Sequence, residues 1–251
     1  MRLLPHTTIP TYLVDSQTEA NEALTQELSS LLASSDGSAT LGLATGSSPI
    51  GLYAELARRQ RAGELSLKEV QTFNLDEYMG LTPDHPASYR AFMSEHLFAE
   101  TDIDLAKTHF PPSDESGLEA ACANWESLIR AAEGIDWQLL GVGRNGHIGF
   151  NEPGSPFDSR TRRIELAEST REANARFFES MDDVPRYAVT MGVGTILEAR
   201  RLRVLAFGDT KSHILERVLQ GEDDKSIPLN ALRGHPDAAL YIDAAAAARI
   251  G

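Results

Sequence analysis

Four short polar stretches carry side chains able to do chemistry. They are Thr45-Gly46-Ser47-Ser48-Pro49, Asp76-Glu77, Arg144-Asn145-Gly146-His147 with Glu152 behind it, and Asp209-Thr210-Lys211. In the first, Gly46 lets the backbone turn tightly. Ser47 or Ser48 can cap a following helix, and Pro49 suits its first turn. Hydroxyls beside the free amides of a helix start form a phosphate site. No Gly-Lys-Ser/Thr follows, so the stretch is not a P-loop. Lys211 can add a point charge to the same phosphate, and Arg176 is a second candidate cation.

Asp76 and Glu77 are adjacent, so one of the two is expected to face a ligand. A secluded carboxylate gains basicity and can act as a general base. His147, with Glu152 five residues on, reads as a histidine oriented by a carboxylate, a proton shuttle usable near neutral pH. Gly141-Val142-Gly143-Arg144-Asn145-Gly146 spells G-x-G-x-x-G, but a glycine- and proline-rich loop follows it instead of a helix. Dinucleotide binding is therefore rejected, and Gly143 is read as flexible backbone bringing amides near a substrate oxygen. The seven histidines show no ligand spacing, so no metal is expected. No Gly-x-Ser-x-Gly elbow is present to suggest a serine hydrolase.

These stretches need strands and helices to position them. Apolar runs at 39–44, 69–75, 136–142, 186–191, 201–207 and 238–243 alternate with amphipathic stretches at about 17–33, 48–60, 86–98, 116–132, 170–180 and 209–220. The runs are apolar throughout, as strands covered on both sides are. The sequence thus predicts an α/β fold: a doubly wound, mostly parallel, Rossmann-like sheet with helices on both faces, in one domain over 1–251. In such sheets ligands sit beyond the carboxyl ends of the strands, where all four polar stretches fall. Residues 144–163 read as a long functional loop, and the five alanines at 244–248 as a frayed helix end.

Charge and composition narrow the partners. The formal charge of −14 disfavours general binding to nucleic acid or anionic membranes. No apolar run reaches the roughly 20 residues of a membrane helix. One cysteine, Cys122, and an N-terminus interrupted by Pro5 point to a reducing, cytoplasmic setting. The residues alone give a cleft with a phosphate-holding end and a proton-transfer end, suited to a small phosphorylated sugar or acid.

Phe73-Asn74-Leu75-Asp76-Glu77-Tyr78, Gly143 through Pro153 (Gly-Arg-Asn-Gly-His-Ile-Gly-Phe-Asn-Glu-Pro) and Ser159-Arg160-Thr161-Arg162 resemble the glucosamine-6-phosphate deaminase family. The resemblance extends from the N-terminus to about residue 243. It implies conversion of glucosamine 6-phosphate and water to fructose 6-phosphate and ammonia, with no cofactor. It implies that Asp76 moves a proton from carbon 2 to carbon 1, and that His147, oriented by Glu152, opens the sugar ring. It assigns phosphate binding to Thr45, Gly46, Ser47, Arg176 and Lys211. Many members have aspartate where this chain has Asn145, which can orient His147 but not stabilise an imidazolium by charge. The chain stops short of the long, hexameric, allosteric members and has Ile164 where their second basic residue beside Arg162 stands. Weak or absent activation by N-acetylglucosamine 6-phosphate is expected, while monomer and homo-oligomer both stay open. The alternatives are a galactosamine-6-phosphate deaminase or isomerase, a 6-phosphogluconolactonase, and a non-catalytic sugar-phosphate sensor.

Overall fold

The computed structural model describes residues 1–251, the side chains of Ser169 and Ala173 excepted. The elements in order are β1 (Arg2–Leu3), β2 (Thr11–Leu13), α1 (Gln17–Ser34), β3 (Thr40–Leu43), α2 (Ile50–Arg61), β4 (Gln71–Asn74), β5 (Asp76–Tyr78), α3 (Tyr89–His96), β6 (Thr108–His109), α4 (Leu118–Ala131), β7 (Trp137–Gly141), β8 (Arg162–Glu165), α5 (Glu168–Asn174), β9 (Tyr187–Thr190), α6 (Val193–Leu197), β10 (Leu202–Ala206), α7 (Ser212–Gln220) and β11 (Ala238–Ile242).

Eight strands form one sheet in the order β1-β2-β11-β10-β7-β3-β4-β6. Every pairing in it is parallel except that of β1 with β2. Helices lie on both faces, so the central strands are buried throughout: Trp137, Leu139, Leu140, Val204 and Leu240 are all inaccessible to solvent. From β3 the chain winds through α2 to β4 and on to β6. It then returns to β7 on the other side of β3 and proceeds to β10 and β11. β3 and β7 therefore flank the switch point, where the two outgoing connections leave a crevice.

The run at 186–191 departs from expectation. Its strand, β9, is the centre of a separate antiparallel sheet in the order β5-β9-β8. An apolar run reports burial on both faces and carries no information about its partners. Leu75 joins the two sheets. Its amide donates to Leu43 O in the large sheet, and its carbonyl accepts from Met191 N beside the small one. Asp76 is thus the first residue after the chain leaves the parallel sheet.

Four local expectations are corrected. Neither Ser47 nor Ser48 caps α2; Pro49 occupies the capping position, with no side-chain cap. The alanines at 244–248 form turns, with one helix-type bond from Ala247 N to Asp243 O. The loop after β7 ends where β8 begins at Arg162, so the last two residues of 144–163 are strand. α5 and a 3-10 turn at Ala175–Phe177 replace the single helix expected over 170–180. Among the described residues no helix is long and apolar enough to cross a membrane.

Candidate active site

The two adjacent carboxylates divide their work. Glu77 turns back to cap α3: its carboxylate accepts from the amides of Tyr78 at 2.8 Å and of Tyr89 and Arg90 at 3.0 Å. It serves the orphan amides of a helix start. Asp76 has no such bond and is only 6% exposed. Burial, reinforced by the neighbouring Glu77 charge, pushes the Asp76 carboxyl up to about 8. Burial raises the Glu77 carboxyl too, but its three amide donors work against that rise, whereas Asp76 has no donor to offset its burial.

The loop after β7 packs directly on it. A Cβ built on Gly149, at φ +54°, would lie 3.3 Å from Asp76 Oδ2 and 3.1 Å from Thr190 Oγ1. Thr190, opposite Asp76 in the β5–β9 ladder, accepts the Phe150 amide at 3.2 Å. Asn151, wholly buried, donates to Ile148 O and to Met191 O. Arg162 donates to Asn151 Oδ1 at 2.9 Å. The loop is thereby fastened to the strands that carry Asp76.

On this loop His147 Nδ1 stands 3.5 Å from Glu152 Oε1. That is an ion-pair separation, longer than a well-formed hydrogen bond. Thr170 Oγ1 donates to Glu152 Oε1 and Asn145 Nδ2 to Glu152 Oε2, both at 2.7 Å. Burial opposes the Glu152 charge, but the nearby His147 and these two donors outweigh it and hold the carboxyl at about 2. Glu152 is a fixed anion that steers the imidazole. Asn145 does not reach the imidazole as expected; it orients Glu152 and accepts the His147 backbone amide. Gly143 has a steric purpose as well. A Cβ on it would fall within 2.3–2.4 Å of three His147 ring atoms, so the ring lies flat against a residue that must lack a side chain.

The phosphate candidates are less closely gathered. Thr45, Gly46 and Ser47 follow β3, Gly46 at φ +100°. The Tyr89 hydroxyl lies beside Thr45. Lys211 sits in the 3-10 turn Asp209–Lys211 before α7, where burial, then the Arg144 charge, lowers its pKa. Arg176 is exposed, in the 3-10 turn Ala175–Phe177, with its guanidinium over the Phe177 ring at 4.7 Å. Reading the sequence missed Tyr89, Asn151, Thr170 and Thr190. Tyr89, Thr170 and Thr190 reach the site only through tertiary contacts, whereas Asn151 lies within the Gly143–Pro153 stretch but was given no role there. A separate cleft of about 480 Å³ lies between α4 and β8. Glu126 in its wall is already saturated by Thr161, Thr195 and Arg160.

Comparison with known proteins fits this geometry. The family described as glucosamine-6-phosphate isomerases/6-phosphogluconolactonase matches residues 14–241. A glucosamine-6-phosphate deaminase of Rhodopirellula baltica is 51% identical over 207 residues, 82% of each chain. One from Bacillus velezensis is 45% identical over 229 residues, 90% of this chain and 95% of that one. A solved structure described as a monomeric glucosamine-6-phosphate deaminase superposes with TM-score 0.91 at 39% identity, covering 95% of this chain and 99% of that one. The 6-phosphogluconolactonase of Trypanosoma brucei, at 18% identity and TM-score 0.76, shares the fold. The chain belongs to the glucosamine-6-phosphate isomerase/6-phosphogluconolactonase family.

Proposed function

We propose that this protein is a glucosamine-6-phosphate deaminase, converting glucosamine 6-phosphate and water to fructose 6-phosphate and ammonia. The observation that carries the reading is the packing of the His147–Glu152 loop on the buried Asp76 carboxyl. Two proton-transfer groups of different character then serve one cleft. The family and the deaminase relatives supply the substrate.

In the first step His147 takes the proton of the anomeric hydroxyl and delivers it to the ring oxygen, opening the pyranose. Glu152, ionised at any working pH, stabilises the transient imidazolium and holds the ring's orientation. Asp76, as carboxylate, then removes the proton from carbon 2 of the open-chain aldehyde and returns it to carbon 1. The amine at carbon 2 becomes an imine as one of its protons passes to the oxygen on carbon 1. Water adds to that carbon and ammonia leaves, giving the ketose. Each step is a proton transfer or a hydration, for which side chains and water suffice. Thr45, Gly46, Ser47 and Lys211 hold the phosphate beyond the ends of β3 and β10. Arg176, on the 3-10 turn Ala175–Phe177, is the remaining candidate for that phosphate. The buried thiol of Cys122 suits a reducing, cytoplasmic setting.

The test is a pair of assays on Asp76→Asn. The variant loses ammonia release while glucosamine 6-phosphate still raises its unfolding temperature, since binding to the folded state alone stabilises it. Turnover retained near the wild-type rate would remove Asp76 from the mechanism.

A further inference from the structure

Arg144 belongs to the chemistry-bearing turn after β7, yet the reaction described above gives it no part. Gly146 N donates to Gly143 O at 3.1 Å, so Arg144 and Asn145 are the two central residues of a tight turn. Asn145 reaches Glu152 on one side. Arg144 is exposed and enters no ion pair among the described residues. This is unusual company for a cation in a chain with 37 acidic residues and 23 lysines and arginines.

Its charge falls on another cation. Lys211 is half-buried, and the one charge acting appreciably on it is that of Arg144. No carboxylate relieves the repulsion. The strands explain the meeting. β10 and β7 are neighbours, with Leu205 opposite Gly141, and β7 lies beside β3, with Gln138 opposite Gly42. Continuing that register brings Thr45 level with Gly141. Ser47, Arg144 and Lys211 thus emerge side by side, just beyond three adjacent strand ends, with Arg144 in the middle. Two cations facing each other without a counter-ion form an electrostatic gap shaped for an anion. A sugar phosphate carries close to two negative charges at neutral pH, and Lys211 balances one. Arg176, whose guanidinium lies over the Phe177 ring, comes from a different segment, the turn after α5.

We propose that Arg144 is a second cation of the phosphate subsite, binding the substrate phosphate together with Lys211. Its guanidinium offers two parallel N–H groups to two phosphate oxygens, which a lysine cannot. This assignment rests on the sugar-phosphate reading above, but phosphate binding can be measured without turnover.

The experiment compares wild type, Arg144→Gln, Arg144→Lys and the remote control Arg61→Gln, whose side chain pairs with Glu100 at the far end of α2. Inorganic phosphate is titrated by calorimetry, and KM and kcat are taken on glucosamine 6-phosphate. Arg144→Gln is expected to weaken phosphate binding and raise KM by the same factor, about tenfold, with kcat within a factor of two. A lost charge-assisted hydrogen bond has that order of effect. Arg144→Lys recovers part of the loss, and Arg61→Gln changes neither. Unaltered phosphate affinity in Arg144→Gln overturns the proposal whatever happens to KM, and so does an equal loss in Arg61→Gln. Phosphate binding that depends on Arg144 in a protein inert toward glucosamine 6-phosphate would keep the subsite and discard the reaction.

Discussion

Replacing Asp76 by asparagine should destroy activity and at the same time stabilise the fold, in a way that pH switches on. In the folded protein the carboxyl titrates at about 8, and unfolded it returns to 3.8. Below pH 3.8 both states are protonated, and the residue costs nothing. Between these two values the unfolded chain gives up its proton while the folded one keeps it. Stability therefore falls as pH rises and levels off above pH 8. Each tenfold difference in proton affinity is worth about 1.4 kcal/mol. The cost grows from about 0.5 kcal/mol at pH 4 to about 4 kcal/mol at pH 7, and to between 5 and 6 kcal/mol as an upper bound above pH 8. Asparagine has the same shape and no charge to bury. The variant should gain most of that difference, roughly 10 °C in unfolding temperature at pH 7 for a chain of this size. Paired urea unfolding of both proteins at pH 4.5, 7 and 9 reads it directly. A gap that does not widen with pH, or a less stable variant at pH 9, would refute the claim that burial of Asp76 raises its proton affinity.

Gly143→Ala should cut kcat at least a hundredfold, because the new methyl displaces the His147 ring and small misplacements of a catalytic group are costly. The imidazole is partly exposed and can swing out, so thermal unfolding of this variant should change by only a few degrees. Glu77→Gln replaces one of the two oxygens that accept these three amides with a donor and should lower stability by about 1–3 kcal/mol in denaturant titration. It also removes the charge that helps hold Asp76 high, so the acid limb of the kcat/KM profile, near pH 8 in the wild type, should move to lower pH. Glu152→Gln should slow turnover by a factor of 10² to 10⁴ without moving that limb, since Glu152 stays ionised down to about pH 2. N-acetylglucosamine 6-phosphate should leave the substrate saturation curve hyperbolic and unshifted, as Arg162 is half-buried and occupied by Asn151. A sigmoidal curve that this compound straightens would contradict that.

The parts legible in the sequence were those whose physics is local. β3, β4, β7, β10 and β11 announced themselves because strands covered on both faces are unbroken apolar runs. Asp76, His147 and Glu152 were legible because they fall in short polar stretches just beyond predicted parallel strands, where such sheets bind ligands. β8 was not, since Arg-Arg-Ile-Glu has neither an apolar run nor a clean alternation and is a strand only because β9 lies beside it. The division between Asp76 and Glu77 followed from the position of α3, twelve residues away, which no spacing rule supplies. Asn145 shows the same limit. Its expected partner was the nearest ring in sequence, but the turn at Gly143–Gly146 carries its amide to Glu152 instead. Tyr89 and Thr190 enter through the packing of distant segments, where a tyrosine and a threonine look like any others.

The most direct test of the central claim is incubation of the purified protein with glucosamine 6-phosphate, with ammonia and fructose 6-phosphate both quantified, and galactosamine 6-phosphate and 6-phosphogluconolactone run alongside. Equal amounts of ammonia and fructose 6-phosphate from the gluco sugar, none of either from Asp76→Asn, and no catalysed opening of the lactone are the predicted results. Hydrolysis of the lactone with no ammonia from either amino sugar would contradict the account.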